Sequence, residues 1–180
     1  KDAGNHLLSL INQVLDLSKI ESGQLELKII HLSIKELVQE CIPIIETLAN
    51  NKGVTLVISE DSSFHVQADK MHLKQVLINL LSNGVKYNKP NGSLSCHYEQ
   101  HDNTLKILIT DTGIGIPKQA HDKVFTSFSR LGQENSNIEG AGVGLTISKS
   151  LIEAMGGQLD FTSIEGQGST FWIELPLADT

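Results

Sequence analysis

An α+β fold, with amphipathic helices and hairpins around one core, is predicted by three observations on this 180-residue sequence. Leu, Ile and Val recur at helical spacing in the segments 7–17, 33–50 and 69–87. Runs rich in Ile, Val, Leu and Thr, bounded by Gly, Asn and Asp, read as strands. Glycine-rich stretches stand at two of the joins, Asp111 to Pro117 and Gly140 to Leu145. At 39% hydrophobic content the chain can bury one sizeable core, so one main domain is expected.

The first helix carries Leu7, Leu8, Leu10, Ile11, Val14, Leu15 and Leu17, an apolar surface wider than one core-facing stripe. It therefore needs partner helices on more than one side. Ser22-Gly23-Gln24 breaks it, and a second amphipathic helix runs from about Ser33 to Asn50. Val54 to Ser59 reads as a strand, and a short extended piece around Phe64 to Ala68 leads into a helix from Asp69 to Tyr87 with Asp69 as its N-cap. The apolar stripe of that helix is Leu73, Val76, Leu77, Leu80 and Leu81.

Ser93 to Gln100 and Thr104 to Thr110 form a hairpin about His101-Asp102-Asn103, and its second strand delivers Asp111. Pro117 can start a short helix to Val124. Thr126 to Glu139 is polar, has little apolar periodicity and reads as a mobile lid. A helix from Gly142 to Met155 ends at Gly156-Gly157, and the strands Gln158 to Ser163 and Ser169 to Leu175 follow.

The net charge of -7, without a Lys/Arg run, argues against nucleic acid or an anionic membrane as partner. No apolar stretch approaches the roughly 20 residues of a membrane span, and no signal peptide is seen. Any membrane anchor is expected outside this chain. Cys41 and Cys96 lack CxxC spacing and suit a reducing compartment.

Asn79, Asn83 and Lys86 share one helical face, so two amides and an ammonium can point together at a metal and a polyphosphate. Mg²⁺ suits such a pair, because it takes few protein oxygens and completes its shell with phosphates and water. Taken singly, these asparagines would be solvent-face positions, Lys86 a solvated charge and Tyr87 a core-edge aromatic. A carboxylate at Asp111 can accept from the exocyclic amine of adenine, whereas guanine presents an oxygen there. DTGIG alone is equally a strand ending in a tight turn. GAGVGL before a helix offers open backbone N–H groups to phosphate. Leu145 replaces the last glycine of GxGxxG, and GxxxxGK[ST] is absent, which excludes the standard dinucleotide and P-loop sites.

In order and spacing, HLKQVLINLLSNGVKYNKPNG, DTGIGIP, VFTSFSRLG, GAGVGLTISKSLIEAMGG and GQGSTFWIELP resemble the asparagine, glycine and phenylalanine boxes of bacterial sensor histidine kinases. INQVLDLSKIESGQLEL resembles the second helix of their dimerisation and phosphotransfer domain. The resemblance divides the chain into residues 1–22, a remnant of that domain, and 25–180, an ATP-binding catalytic domain. It implies the Bergerat-type two-layer α/β sandwich shared with gyrase, mismatch-repair and chaperone ATPases, a mixed sheet with helices on one face preceded by an N-terminal helix.

Carried over by residue, the resemblance makes Asn83 the Mg²⁺ ligand with Asn79 beside it, Lys86 a phosphate contact and Tyr87 a neighbour of ATP. Asp111 would bind adenine, with Gly113, Gly115 and Thr170 nearby. Phe125 and Phe128 would anchor the lid, and Arg130 would join Lys86 at the terminal phosphates. Gly140, Gly142, Val143, Gly144 and Leu145 would form the phosphate-side loop. The implied partners are a histidine of the dimerisation domain, a response-regulator receiver domain and a second copy through the N-terminal helix. A cytoplasmic location is implied, with anchorage of the parent in the inner membrane left open.

Gly84 and Ala141 stand where such kinases usually have Ala and Thr or Ser, and Val143 replaces a common Leu. His101-Asp102 and His121-Asp122 lack the Asn or Thr expected three residues past the acid, so both histidines read as surface groups and the phosphoacceptor is expected outside the chain. Two alternatives are an ATP-hydrolysing relative of gyrase type, which would need Glu at Asn79 as its base, and a non-catalytic ATP-sensing scaffold.

Overall fold

The computed structural model describes residues 11–12, 15–16, 18–59, 63–127 and 142–178. The described residues between 11 and 21 are helical. They are followed by β1 (Ile29–Ser33), α1 (Ile34–Lys52), β2 (Thr55–Ile58), β3 (His65–Asp69), α2 (Lys70–Lys86), β4 (Ser93–His101) and β5 (Thr104–Asp111). A 3-10 turn at Lys118–Lys123 precedes α3 (Gly144–Ala154), β6 (Gln158–Ile164) and β7 (Gly168–Pro176).

Strands β2, β4, β5, β7 and β6 form, in that order, a five-stranded mixed sheet. β2 lies parallel to β4, and the remaining pairs are antiparallel. The period-2 pattern of β5 explains the two faces. Leu105, Ile107 and Ile109 are buried and lie opposite Leu175, Ile173 and Phe171 of β7, whereas Thr104, Lys106, Leu108 and Thr110 lie on the other face. The helices pack on the Leu105 side, α2 against β5 and α3 against β6. The expected arrangement of one sheet with helices on one face is therefore the observed one.

The stripe of α2 is buried throughout, from Leu73 to Leu81. Each such side chain stabilises the fold by about 1.5–3 kcal/mol relative to exposure. Asp69 caps the helix: its Oδ1 accepts the His72 backbone N–H at 3.0 Å and faces His72 Nδ1 at 2.9 Å. Its Oδ2 accepts the Lys28 N–H at 2.8 Å, which ties the segment before β1 to the start of α2. Burial raises the Asp69 carboxyl, but the His72 and Lys28 backbone donors and the His72 ring outweigh it and hold the group below its ordinary value. Gly84, inside α2, has a packing cause: a Cβ there would lie 2.4 Å from Leu94 Cδ1 of β4.

β1 was not among the expected strands. It pairs antiparallel with β3 in a separate two-stranded sheet, from Ile29 opposite Asp69 to Ser33 opposite His65. Only Leu32 of its side chains is buried, so no alternation marks it. The start of α3 also moves, from Gly142 to Gly144, because Gly142 has φ +70° and cannot be a helical residue.

Candidate functional site

Three pieces of chain meet at the C-terminal end of α2. Tyr87 caps the helix, and its carbonyl accepts the Ile114 N–H at 3.1 Å, which seats the loop after β5 on the helix end. The approach is close enough that a Cβ on Gly113 would stand 2.2 Å from that carbonyl oxygen. Gly115 has φ +66° and would place a Cβ 2.1 Å from Ile164 O, so the same loop also lies flat against the end of β6. Gly166 N–H closes the contact on Ile114 O at 2.7 Å.

Asp111 ends β5 with its side chain on the helix-covered face and is 8% exposed. Burial raises its carboxyl above the ordinary 3.8, against the opposing pull of the Gly113 and Ser169 backbone N–H groups. Gly113 N lies 2.8 Å from Oδ1. Thr170 is not brought to this group. Its hydroxyl pairs with Thr110 Oγ1 at 2.9 Å on the opposite face, and Ser169 is the residue in register with Asp111. One step along a strand reverses the face, and the buried alternation of β5 contains the information needed to choose Ser169.

Along α2, Asn79, Asn83 and Lys86 are half-buried on one side, as their spacing requires. Asn79 Nδ2 donates to Ser148 Oγ of α3 at 2.9 Å, and a Cβ on Gly144 would lie 2.6 Å from Asn79 Oδ1. Asn79 is thus a strut between α2 and the start of α3. Lys86 Nζ lies 5.2 Å from the centroid of the Tyr87 ring, and the Lys86 carbonyl accepts from Lys52 Nζ.

Among the described residues no side chain caps α3, whose first-turn N–H groups have no partner within the helix. Among the residues expected at this loop, Val143 is a core side chain, 1% exposed, and Leu145 packs on the core. Phe125 packs against α3: Thr146 Oγ1 donates to its carbonyl at 3.0 Å, and Lys149 Nζ lies 4.4 Å from its ring centroid. Phe128, Arg130, Gly140 and Ala141 lie outside the described residues, as does the lid from Phe128 onward.

Two residues of this region were missed in the sequence. Asn88 is buried, and its Nδ2 donates to Gly84 O at 3.0 Å and Ser93 O at 2.9 Å, joining the end of α2 to β4. Its position directly after Tyr87, before Lys89-Pro90-Asn91-Gly92, was the available signal for a turn-forming side chain. His121, expected on the surface, is half-buried, hydrogen-bonded through Nε2 to Ile116 O at 3.0 Å and edge-on to Phe161. His101 is exposed beside Glu99, as expected.

Known proteins share this arrangement. The model of the family described as histidine kinase-, DNA gyrase B- and HSP90-like ATPase matches residues 68–179. The chain is 38% identical over 186 residues to the sensor histidine kinase GacS of Pseudomonas protegens, covering 99% of this chain and 20% of that protein. It thus spans about a fifth of the length of such curated relatives. Full-length ShkA, solved in complex with AMPPNP, matches with a TM-score of 0.84 at 30% identity over 99% of this chain and 37% of that one. The catalytic domain of the histidine kinase ThkA matches with a TM-score of 0.72 at 25% identity, over 83% of this chain and 96% of that one.

Proposed function

Because the chain belongs to the histidine kinase-, DNA gyrase B- and HSP90-like ATPase family, we propose that it is the catalytic part of a sensor histidine kinase, which binds Mg-ATP and hands the γ-phosphate to a histidine of a dimerisation domain. The observation that carries this reading is the seating of the Asp111 loop on Tyr87, at the end of the helix bearing Asn79, Asn83 and Lys86. One helix and one loop then address the two ends of a nucleotide. The Asp111 carboxylate accepts from the adenine amine, while Gly113 and Gly115 keep the loop free of side chains at the base.

At the polyphosphate end, Lys86 and Arg130 supply positive charge, and Gly140, Gly142, Gly144 and the backbone of Val143 and Leu145 supply N–H donors. The residue that would hold the metal is Asn83, through its amide oxygen, with phosphate and water completing the shell. That set fits Mg²⁺, which would neutralise phosphate charge when bound. Transfer of this kind depends on positioning and charge rather than covalent chemistry by the protein. Asn79 cannot serve as a base for water, and its amide is engaged with Ser148, which counts against a gyrase-type hydrolase.

None of the seven histidines of the chain is read as the acceptor. His121 is engaged with Ile116, and His101 is the last residue of β4. Ile11 and Leu15, 47% and 51% exposed, support association of the N-terminal helix with a second copy, and residues 1–22 are assigned to the dimerisation domain. A receiver domain is the proposed next acceptor. No described helix is long and apolar enough to cross a membrane, and the cytoplasm is the proposed location.

Calorimetric titration tests the site. Wild type is expected to prefer Mg-ATP to Mg-GTP, and Asp111→Asn to lose that preference. Equal affinity of wild type for the two nucleotides contradicts the assignment of Asp111.

A further inference from the structure

Ile116, the last residue before Pro117 in the glycine-rich loop, is gripped from both sides. Its N–H donates to Ser163 Oγ of β6 at 2.8 Å, and its carbonyl faces His121 Nε2 at 3.0 Å. Ser163 Oγ is in turn 2.8 Å from Ser169 Oγ and 3.1 Å from Gly168 O, and Ser169 lies in register with Asp111 across the β5–β7 pair. A chain of hydrogen bonds therefore runs from His121 through Ile116 and Ser163 to Ser169, the residue paired with Asp111 in the sheet.

The His121 ring has a second set of contacts. It meets Phe161 edge-on with centroids 5.2 Å apart, and Phe161 meets Phe125 at 5.7 Å and stacks on Phe171 at 5.4 Å. Phe125 is bound to Thr146 and Lys149 of α3. His121 thus stands where the loop of Asp111 meets the aromatic cluster that leads to the phosphate-side helix.

We propose that His121 and Ser163 are positioning residues for nucleotide recognition: together they clamp Ile116 so that the loop of Gly113 and Gly115 holds Asp111 at one fixed distance from the base. Neither residue belongs to the boxes that the sequence marks, and the clamp rests on the proposed nucleotide site. Its physical basis is that a carboxylate discriminates amine from carbonyl only while its oxygen is held in place. A loosened loop lets it retreat from a repulsive guanine oxygen.

Calorimetry of the full chain with Mg-ATP and Mg-GTP, beside thermal unfolding, separates this role from simple stabilisation. His121→Ala and Ser163→Ala are each expected to weaken ATP binding about three- to tenfold, the effect of one lost hydrogen bond. The ATP-to-GTP preference falls with it. The double variant loses less than the product of the two, because both groups hold one residue. His121→Gln, whose amide nitrogen can still donate to the Ile116 carbonyl, is expected to restore both affinity and preference to within about twofold of wild type. Unchanged ATP affinity in both alanine variants, or equal loss in His121→Ala and His121→Gln, overturns the clamp. Should His121→Ala fail to fold, Ser163→Ala, which removes one hydroxyl, decides by the same criteria. A wild-type chain that binds no Mg-ATP removes the nucleotide site and the clamp together, whereas a binding wild type with unaffected variants removes the clamp alone.

Discussion

The Asn79 amide donates to Ser148 Oγ at 2.9 Å, and this bond joins the middle of α2 to the second turn of α3. Ser148 is 2% exposed, so losing the amide strands a buried hydroxyl. Asn79→Ala is expected to destabilise the chain by about 1–3 kcal/mol in urea unfolding, with weaker Mg-ATP binding. Adding Ser148→Ala should then cost less than it does in wild type. Strictly additive losses would show that the two side chains do not act as a pair.

The glycine at position 84 opposes two effects of known sign. Gly84→Ala gains about 1 kcal/mol of helix propensity, but the new methyl group would stand 2.4 Å from Leu94 Cδ1 in a fully buried contact. Overpacking costs about 1–3 kcal/mol, so net destabilisation is expected. Shortening the neighbour should reverse it: Leu94→Val is expected to cost less in the Gly84→Ala background than alone. A single Gly84→Ala variant more stable than wild type would mean that Leu94 simply turns away.

Asp69 and Asp111 are both buried and shift in opposite directions, which gives them opposite pH signatures. The Asp69 carboxyl lies below its ordinary 3.8, so its stabilisation is fully present above that value and is lost as pH falls through the lower folded one. Asp69→Asn is expected to remove this part of the acid-unfolding curve, and Asp69→Ala to cost about 0.5–2 kcal/mol at neutral pH through the lost cap.

Asp111 lies above its ordinary 3.8, so its ionised form costs folding stability once pH rises through the shifted value, while the proposed adenine recognition needs that ionised form. ATP affinity is therefore expected to fall on acidification before an ordinary aspartate would protonate. The difference between wild type and Asp111→Asn should shrink in the same range. Titration calorimetry over pH checks this, and a difference constant down to the ordinary aspartate range would contradict it.

Much of this was legible in the residues. Asp69 at the head of an unbroken leucine stripe marked α2, and the Asn-Lys face, DTGIGIP and Gly144 marked parts that the fold draws together. What could not be read depended on partners distant in sequence. Ile29 and Ile30 are exposed in β1 and carry no alternation, because their strand is defined by pairing with β3. The resemblance points to Thr170, but a motif does not state which face of a strand carries which residue, and the register with β5 sets Ser169 opposite Asp111. His121 read as a surface histidine because its partners, Ile116 O and the Phe161 ring, converge only after the sheet is formed.

Phosphotransfer itself tests the central claim most directly. The chain is incubated with radiolabelled ATP and Mg²⁺, alone and with the dimerisation domain of the same parent protein, and label is followed through acid treatment that cleaves phosphohistidine. The expected result is no label on the chain alone and acid-labile label on the added domain, lost in Asn83→Ala and Asp111→Asn. Acid-labile label on His101 or His121 of the isolated chain, or release of inorganic phosphate with no labelled domain, would contradict it.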